Sequence, residues 1–166
     1  MLIQIWRFVT ILLVALLMGL AFAHVLERPA KMQYDAQLYV TLQKTLYVEW
    51  GPPNIGGILE PAAILATIAL AFIVCERKRA FWLSLGAALA LLVAFPVVFF
   101  LLVAPANNVF LAATPASIPP DWMMWRAKWE TGHAIRFGLQ LSALALLVLS
   151  VLFERRENGT HSNRSA

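Results

Sequence analysis

The chain reads as an all-α integral membrane protein, an antiparallel bundle of four helices, and three observations predict it. Of its 166 residues 61% are hydrophobic and 13% charged, a balance too apolar for an ordinary soluble domain. Four apolar runs, at about residues 3–24, 55–75, 81–104 and 133–153, each come close to the roughly 20 residues that a helix needs to cross the hydrocarbon core. A short basic hairpin, Glu76-Arg77-Lys78-Arg79, turns the second run back into the third. Residues 1–153 are then one four-helix domain and residues 154–166 a polar cytoplasmic tail, with little chain left for a separate soluble domain.

The first run, from Ile3, carries a second pattern. Arg7, the apolar stretch Phe8 to Leu20 and the small-residue triplet Ala21-Phe22-Ala23 also fit a secretory signal peptide. The run continues unbroken into His24-Val25-Leu26-Glu27, so it is expected to be retained as a span. Arg28 to Pro53 is polar and aromatic, with Tyr34, Tyr39, Tyr47 and Trp50, the residue types that favour a membrane interface. Leu38, Leu42, Thr45 and Leu46 recur at helical spacing there, which predicts an amphipathic helix across the bundle mouth. The second span opens with Gly56-Gly57, and Glu60 precedes Pro61, so the helix is expected to begin near Pro61 or to kink there. Phe81 to Ala104 can kink at Pro96 and is expected to stop at Pro105, ahead of Asn107-Asn108. Residues 111–121 read as a loop, and the last span ends at Glu154-Arg155-Arg156.

The formal charge of +4 does not point to nucleic acid, because the basic residues flank apolar spans and form no soluble basic surface. Membrane lipid is the expected partner. Arg7, Arg77, Lys78, Arg79, Arg155 and Arg156 share one side if all four runs cross, in compact clusters, and that side should be cytoplasmic, with both termini on it. Arg28, Lys31, Lys44, Arg126, Lys128 and Arg136 are spread along the other side among acids. The sequons at Asn158 and Asn163 then face the cytoplasm and carry no glycan. A single cysteine, Cys75, excludes an intrachain disulfide and a cysteine-rich metal site.

The stretch that organises the chain is Trp122 to Gln140. Trp122, Trp125, Trp129, His133, Arg136 and Gln140 fall within an arc of about 80° at the helical period. His, Arg and Gln on consecutive turns need protein or a water-filled cavity in front of them. On this topology His24, Glu27, Glu60, Asn107, Asn108, His133 and Arg136 share one depth in the outer half, and Lys31 lies on the face of His24 and Glu27. An unpaired charge at that depth costs several kcal/mol, so Glu60 or Glu27 is expected to pair with Arg136. Helix-end anchoring explains each residue singly, but not the convergence of five segments.

The run Ala23-His24-Val25-Leu26-Glu27-Arg28-Pro29-Ala30-Lys31-Met32, the Gly57-Ile58-Leu59-Glu60-Pro61 start, Pro105-Ala106-Asn107-Asn108 and Trp129-x3-His133-x2-Arg136 together resemble the anthrone-oxygenase-like family of small four-span membrane proteins, in an uncharacterised bacterial branch. The resemblance covers nearly the whole chain and implies a bacterial inner-membrane location. It also implies oxidation of a tricyclic anthrone to an anthraquinone by molecular oxygen with no evident cofactor. His133 stands where the oxygenase pattern usually has Asn, and Glu27 and Glu60 are particular to the bacterial branch. Shared chemistry would make His133 the base, with Asn107, Asn108 and Arg136 as donors to a phenolate or enolate oxygen. Glu27 or Glu60 would tune His133, Trp125 and Trp129 would stack on a flat substrate, and His24 and Lys31 would complete its binding site. Two other classes fit the residues. One is a haem or metal protein through His24 and His133, with Glu60; the other is a non-enzymatic lipid- or isoprenoid-binding accessory protein. The sequence itself names no cofactor and no oligomeric state.

Overall fold

A computed structural model describes residues 1–114 and 116–162, with side chains as far as Phe153. The described residues are organised as helices, four of which are long and apolar enough to cross a membrane. The first, α1, spans Leu2–Lys31. It runs through Pro29, which lies in its last turn. Its buried residues Arg7, Thr10, Val14, Leu17, Ala21, His24 and Lys31 form one stripe, while Phe8, Leu12 and Leu16 point outward.

The segment after α1 folds as the helix its spacing predicts. α2 (Ala36–Leu42) starts at Asp35, whose carboxylate accepts the Leu38 backbone N–H at 2.8 Å. It passes through a π-helical turn, Gln43–Tyr47, into α3, Val48–Trp50. Tyr39, Val40, Gln43 and Tyr47 are the buried residues, whereas Leu38 and Leu46 are exposed. This orientation follows from what the helix covers: the groups beneath it are polar and aromatic, and Leu38 and Leu46 are left on the outside.

α4 spans Ile55–Ile73 and begins well before Pro61, which sits in its second turn. Gly56 makes that start possible, since a Cβ there would lie 2.5 Å from the Trp50 carbonyl oxygen. α5 (Lys78–Leu92) continues through a π-helical stretch, Val93–Val103, that contains Pro96, into α6, Ala104–Ala112. The expected stop at Pro105 does not occur. That proline falls at the start of α6, where the α-helical ladder is re-established and an N–H is not needed. α7, Trp122–Ser162, carries the Trp122–Gln140 stripe and the last apolar run in one helix, and it runs into the residues expected to be a tail. The sequon at Asn163 lies outside the described residues.

α1 packs against α4 and α7, and α5 packs against the same two helices. At the end near the α4–α5 turn the interior is apolar, built on Val14, Leu17, Ala63, Leu70, Leu91, Ala143 and Leu147. The Trp6 indole Nε1 donates to the Ala66 carbonyl at 3.1 Å and ties α1 to α4. The opposite end is aromatic, with Tyr39, Tyr47, Phe99, Phe110 and Trp129, and α2 and α3 cover it. Polar side chains such as Thr67, Glu130, Arg136 and Gln140 are buried while Phe72, Trp82, Leu101 and Leu152 are exposed, the reverse of a water-soluble protein.

Candidate functional site

Beneath the π-helical turn Gln43–Tyr47 and α3 lies a cavity of about 80 Å³, lined also from α1, α4, the π-helical stretch, α6 and α7. α7 contributes Trp129, His133 and Arg136, which share a face at i, i+4 and i+7. α1 contributes His24, α4 Glu60, α6 Asn107 and the covering segment Tyr47 and Trp50. Gly132, beside His133, lets α7 approach the π-helical stretch: a Cβ there would stand 2.8 Å from Val103 Cγ2.

One wall is a cluster of rings tilted against one another. His24 and His133 lie with centroids 4.0 Å apart, Trp129 is 4.2 Å from His133, and Tyr47 and Trp50 flank His24 at 5.1 and 5.2 Å. The Trp129 Nε1–H donates to Asn107 Oδ1 at 2.7 Å, which fixes the indole and leaves the Asn107 amide N–H groups as donors. The Nδ1 atoms of both histidines are buried without a hydrogen-bond partner. At the floor, Arg136 is ion-paired with Glu60, both side chains nearly inaccessible, and its guanidinium lies 5.4 Å from the Phe99 ring centre.

A second charged group sits behind the Trp129 wall. Lys31 Nζ is 3.2 Å from Glu130 Oε2 and 3.8 Å from Glu27 Oε2, and it lies 4.6 Å from the Trp129 ring centre. Tyr39 donates to Glu130 Oε1 at 3.1 Å and Tyr47 to Glu27 Oε2 at 2.7 Å. Both phenols are pushed well above the ordinary tyrosine range, first by burial and then by these carboxylates. Arg126 donates to the Tyr34 carbonyl at 3.1 Å, so α7 grips the covering segment from below.

Of the residues singled out from the sequence, His24, Glu60, Asn107, Trp129, His133 and Arg136 line the cavity. Glu27 and Lys31 belong to the neighbouring charged group. Asn108 and Trp125 are not among the lining residues: Asn108 is exposed, and Trp125 donates outward to Asp121 at 2.9 Å with Lys128 over its ring. Glu60 is committed to Arg136, and Glu27 to Tyr47 and Lys31. Sequence reasoning missed Glu130, Tyr39, Tyr47 and Trp50. Glu130 had a signal, four residues after Arg126 in the stretch that presents the site, and Lys31 needed an acid. The aromatic residues had none beyond composition.

Compared with models of known families, with curated proteins and with solved structures, the chain matches none. Among the described residues no group of three or more His, Cys, Asp or Glu is arranged to hold a metal ion. Two imidazoles that share one metal at about 2 Å place their ring centres about 5–6 Å apart, wider than the 4.0 Å between the tilted rings of His24 and His133.

Proposed function

We propose that the chain is a multi-pass protein of the bacterial cell membrane whose four long helices form an antiparallel bundle, both termini cytoplasmic, with the cavity in the outer half. The inverted polarity supports this: large apolar side chains such as Phe72, Leu101 and Leu152 lie on the exterior while Lys31, Glu60, Glu130 and Arg136 are buried. The apolar plug around Leu17, Leu91 and Leu147 closes the cavity toward the cytoplasmic end, so the site is a blind pocket rather than a path across the membrane.

We infer that the pocket takes the flat, oxygen-bearing head of an apolar aromatic or quinone-like molecule. The observation that carries this is the close cluster of the His24, His133 and Trp129 rings, tilted or edge-on to one another, beside a buried ion pair. Such a set offers a π surface, ring nitrogens and a guanidinium to one planar ligand. The resemblance to the anthrone-oxygenase-like family adds a reaction: a ring-flanked CH2 and O2 give C=O and water. His133 would take the C–H proton, while Arg136 and the Asn107 amide would hold the oxygen on which negative charge develops. A volume of about 80 Å³ lies below the roughly 300–1,000 Å³ usual for drug-sized ligands. A three-ring substrate therefore requires the covering segment to lift, and the same volume favours a second reading, a non-enzymatic binder of a single lipid or isoprenoid head.

Quenching of tryptophan fluorescence by 1,4-naphthoquinone, together with oxygen uptake on anthrone, tests both. Trp129→Leu should weaken naphthoquinone binding by up to about tenfold, and His133→Gln should abolish oxygen uptake while binding persists. Binding with no uptake by the unaltered protein selects the non-enzymatic reading. Absence of binding removes both.

A further inference from the structure

The roof of the cavity holds a polar group that neither the ring cluster nor the ion pair uses. Gln43 opens the π-helical turn of the covering segment, lines the cavity and is 4% exposed. Its Nε2 has no hydrogen-bond partner among the described residues. The Tyr39 hydroxyl lies beside the amide, but a single oxygen can meet only one of two N–H groups that point apart, so at least one donor is left over. Arg136, at the floor, has the same excess: one terminal nitrogen faces Glu60, and its Nε is buried without a partner.

The two donors stand at opposite ends of the cavity. Tyr39 and Tyr47, one turn to either side of Gln43, have ring centres 6.4 and 5.2 Å from that of Trp129, which sets Gln43 level with Trp129. Arg136 lies two turns further along α7, a rise of about 10 Å. A ring with oxygens in 1,4 positions spans nearly the same distance, about 11 Å once a hydrogen bond of about 2.9 Å is added at each end.

We propose that Gln43 sets the ligand specificity of the pocket: the roof amide donates to one ring oxygen while Arg136 donates to the oxygen opposite, so the preferred ligand is a para-quinone rather than a ring with one oxygen. A one-oxygen ligand held at Arg136 leaves the buried Gln43 donor without an acceptor, and that loss discriminates against it. Because Gln43 belongs to the covering segment and Arg136 to α7, a two-oxygen ligand also ties the cover to the bundle. This role for Gln43 rests on the reading of the pocket as a quinone-like site and adds to it the requirement for opposed oxygens.

Titration calorimetry of the full chain in mild detergent, with 1,4-naphthoquinone and with 1-tetralone, which has two fused rings and one carbonyl, tests the assignment. The unaltered protein should bind the quinone about tenfold more tightly. Gln43→Leu should remove that preference by weakening the quinone alone, and unchanged binding of 1-tetralone shows that the variant is folded. Difference infrared spectra supply a readout that a merely structural role does not move: both carbonyl stretches of the bound quinone should fall in frequency in the unaltered protein, and only one in Gln43→Leu. Equal affinity of the unaltered protein for the two compounds, or a quinone carbonyl that does not shift, would overturn the role of Gln43 while leaving the pocket as a ring-binding site. Equal loss of both compounds in Gln43→Leu would overturn it too, because the side chain would then only shape the cover. Failure of the unaltered protein to bind either compound removes the quinone-like reading and the role of Gln43 together.

Discussion

Glu60 and Arg136 are each tolerable in the interior only because of the other. Removing one partner of a buried pair leaves an uncompensated charge and costs about 3–5 kcal/mol, whereas removing both together costs far less. Glu60→Gln is therefore expected to lower the thermal midpoint in detergent more than Glu60→Gln combined with Arg136→Met. A double variant that melts no higher than the single one would mean that the pair does not hold α4 to α7. Tyr39 and Tyr47 supply a pH test. Burial raises their folded pKa values above the ordinary 10.0, so the folded state keeps protons that the unfolded state releases. Their contribution to stability is complete below about pH 10 and declines as pH rises beyond it. Tyrosinate absorbance of the native protein near pH 11 should be unchanged in the Tyr39→Phe, Tyr47→Phe double variant, which should also lose less stability between pH 9 and 11.

Within α7 two glycines separate packing from helix propensity. A Cβ on Gly132 would meet Val103 Cγ2 at 2.8 Å and Leu102 Cβ at 3.1 Å, whereas one on Gly138 meets nothing within 4 Å. Gly132→Ala should push α7 away from the π-helical stretch and cost about 1–3 kcal/mol. Gly138→Ala should be neutral or stabilise by up to about 1 kcal/mol, since alanine is the better helix former. Urea unfolding in one detergent compares the two directly, and equal effects would refute the close approach. The same contact explains why α5, the π-helical stretch and α6 could not be delimited from sequence. Pro96 and Pro105 both announce a break, yet packing on α7 holds the path continuous from Lys78 to Ala112.

For the molecule as a whole, Cys75 is a built-in reporter, the single cysteine of the chain and exposed in the turn between α4 and α5. A membrane-impermeant maleimide should label it in inside-out vesicles and not in intact cells; labelling from outside would reverse the topology and move the pocket to the cytoplasmic half. The four apolar helices and the His133–Arg136 face of α7 were legible in the sequence, because hydropathy and a 3.6-residue period are local properties that a single segment displays. The rest depended on how helices are rotated and set in height against one another. Only the tertiary structure decided that Arg136 takes Glu60 and not Glu27, that Lys31 reaches Glu130, and that Trp125 and Asn108 turn away from the cavity. It also turned the tyrosines of α2 and its π-helical turn inward and Leu38 and Leu46 outward. A period states which residues share a face; which face meets a partner is decided by the neighbouring helices, and at this end they present polar groups that an aromatic cover satisfies and a leucine cover would leave unpaired.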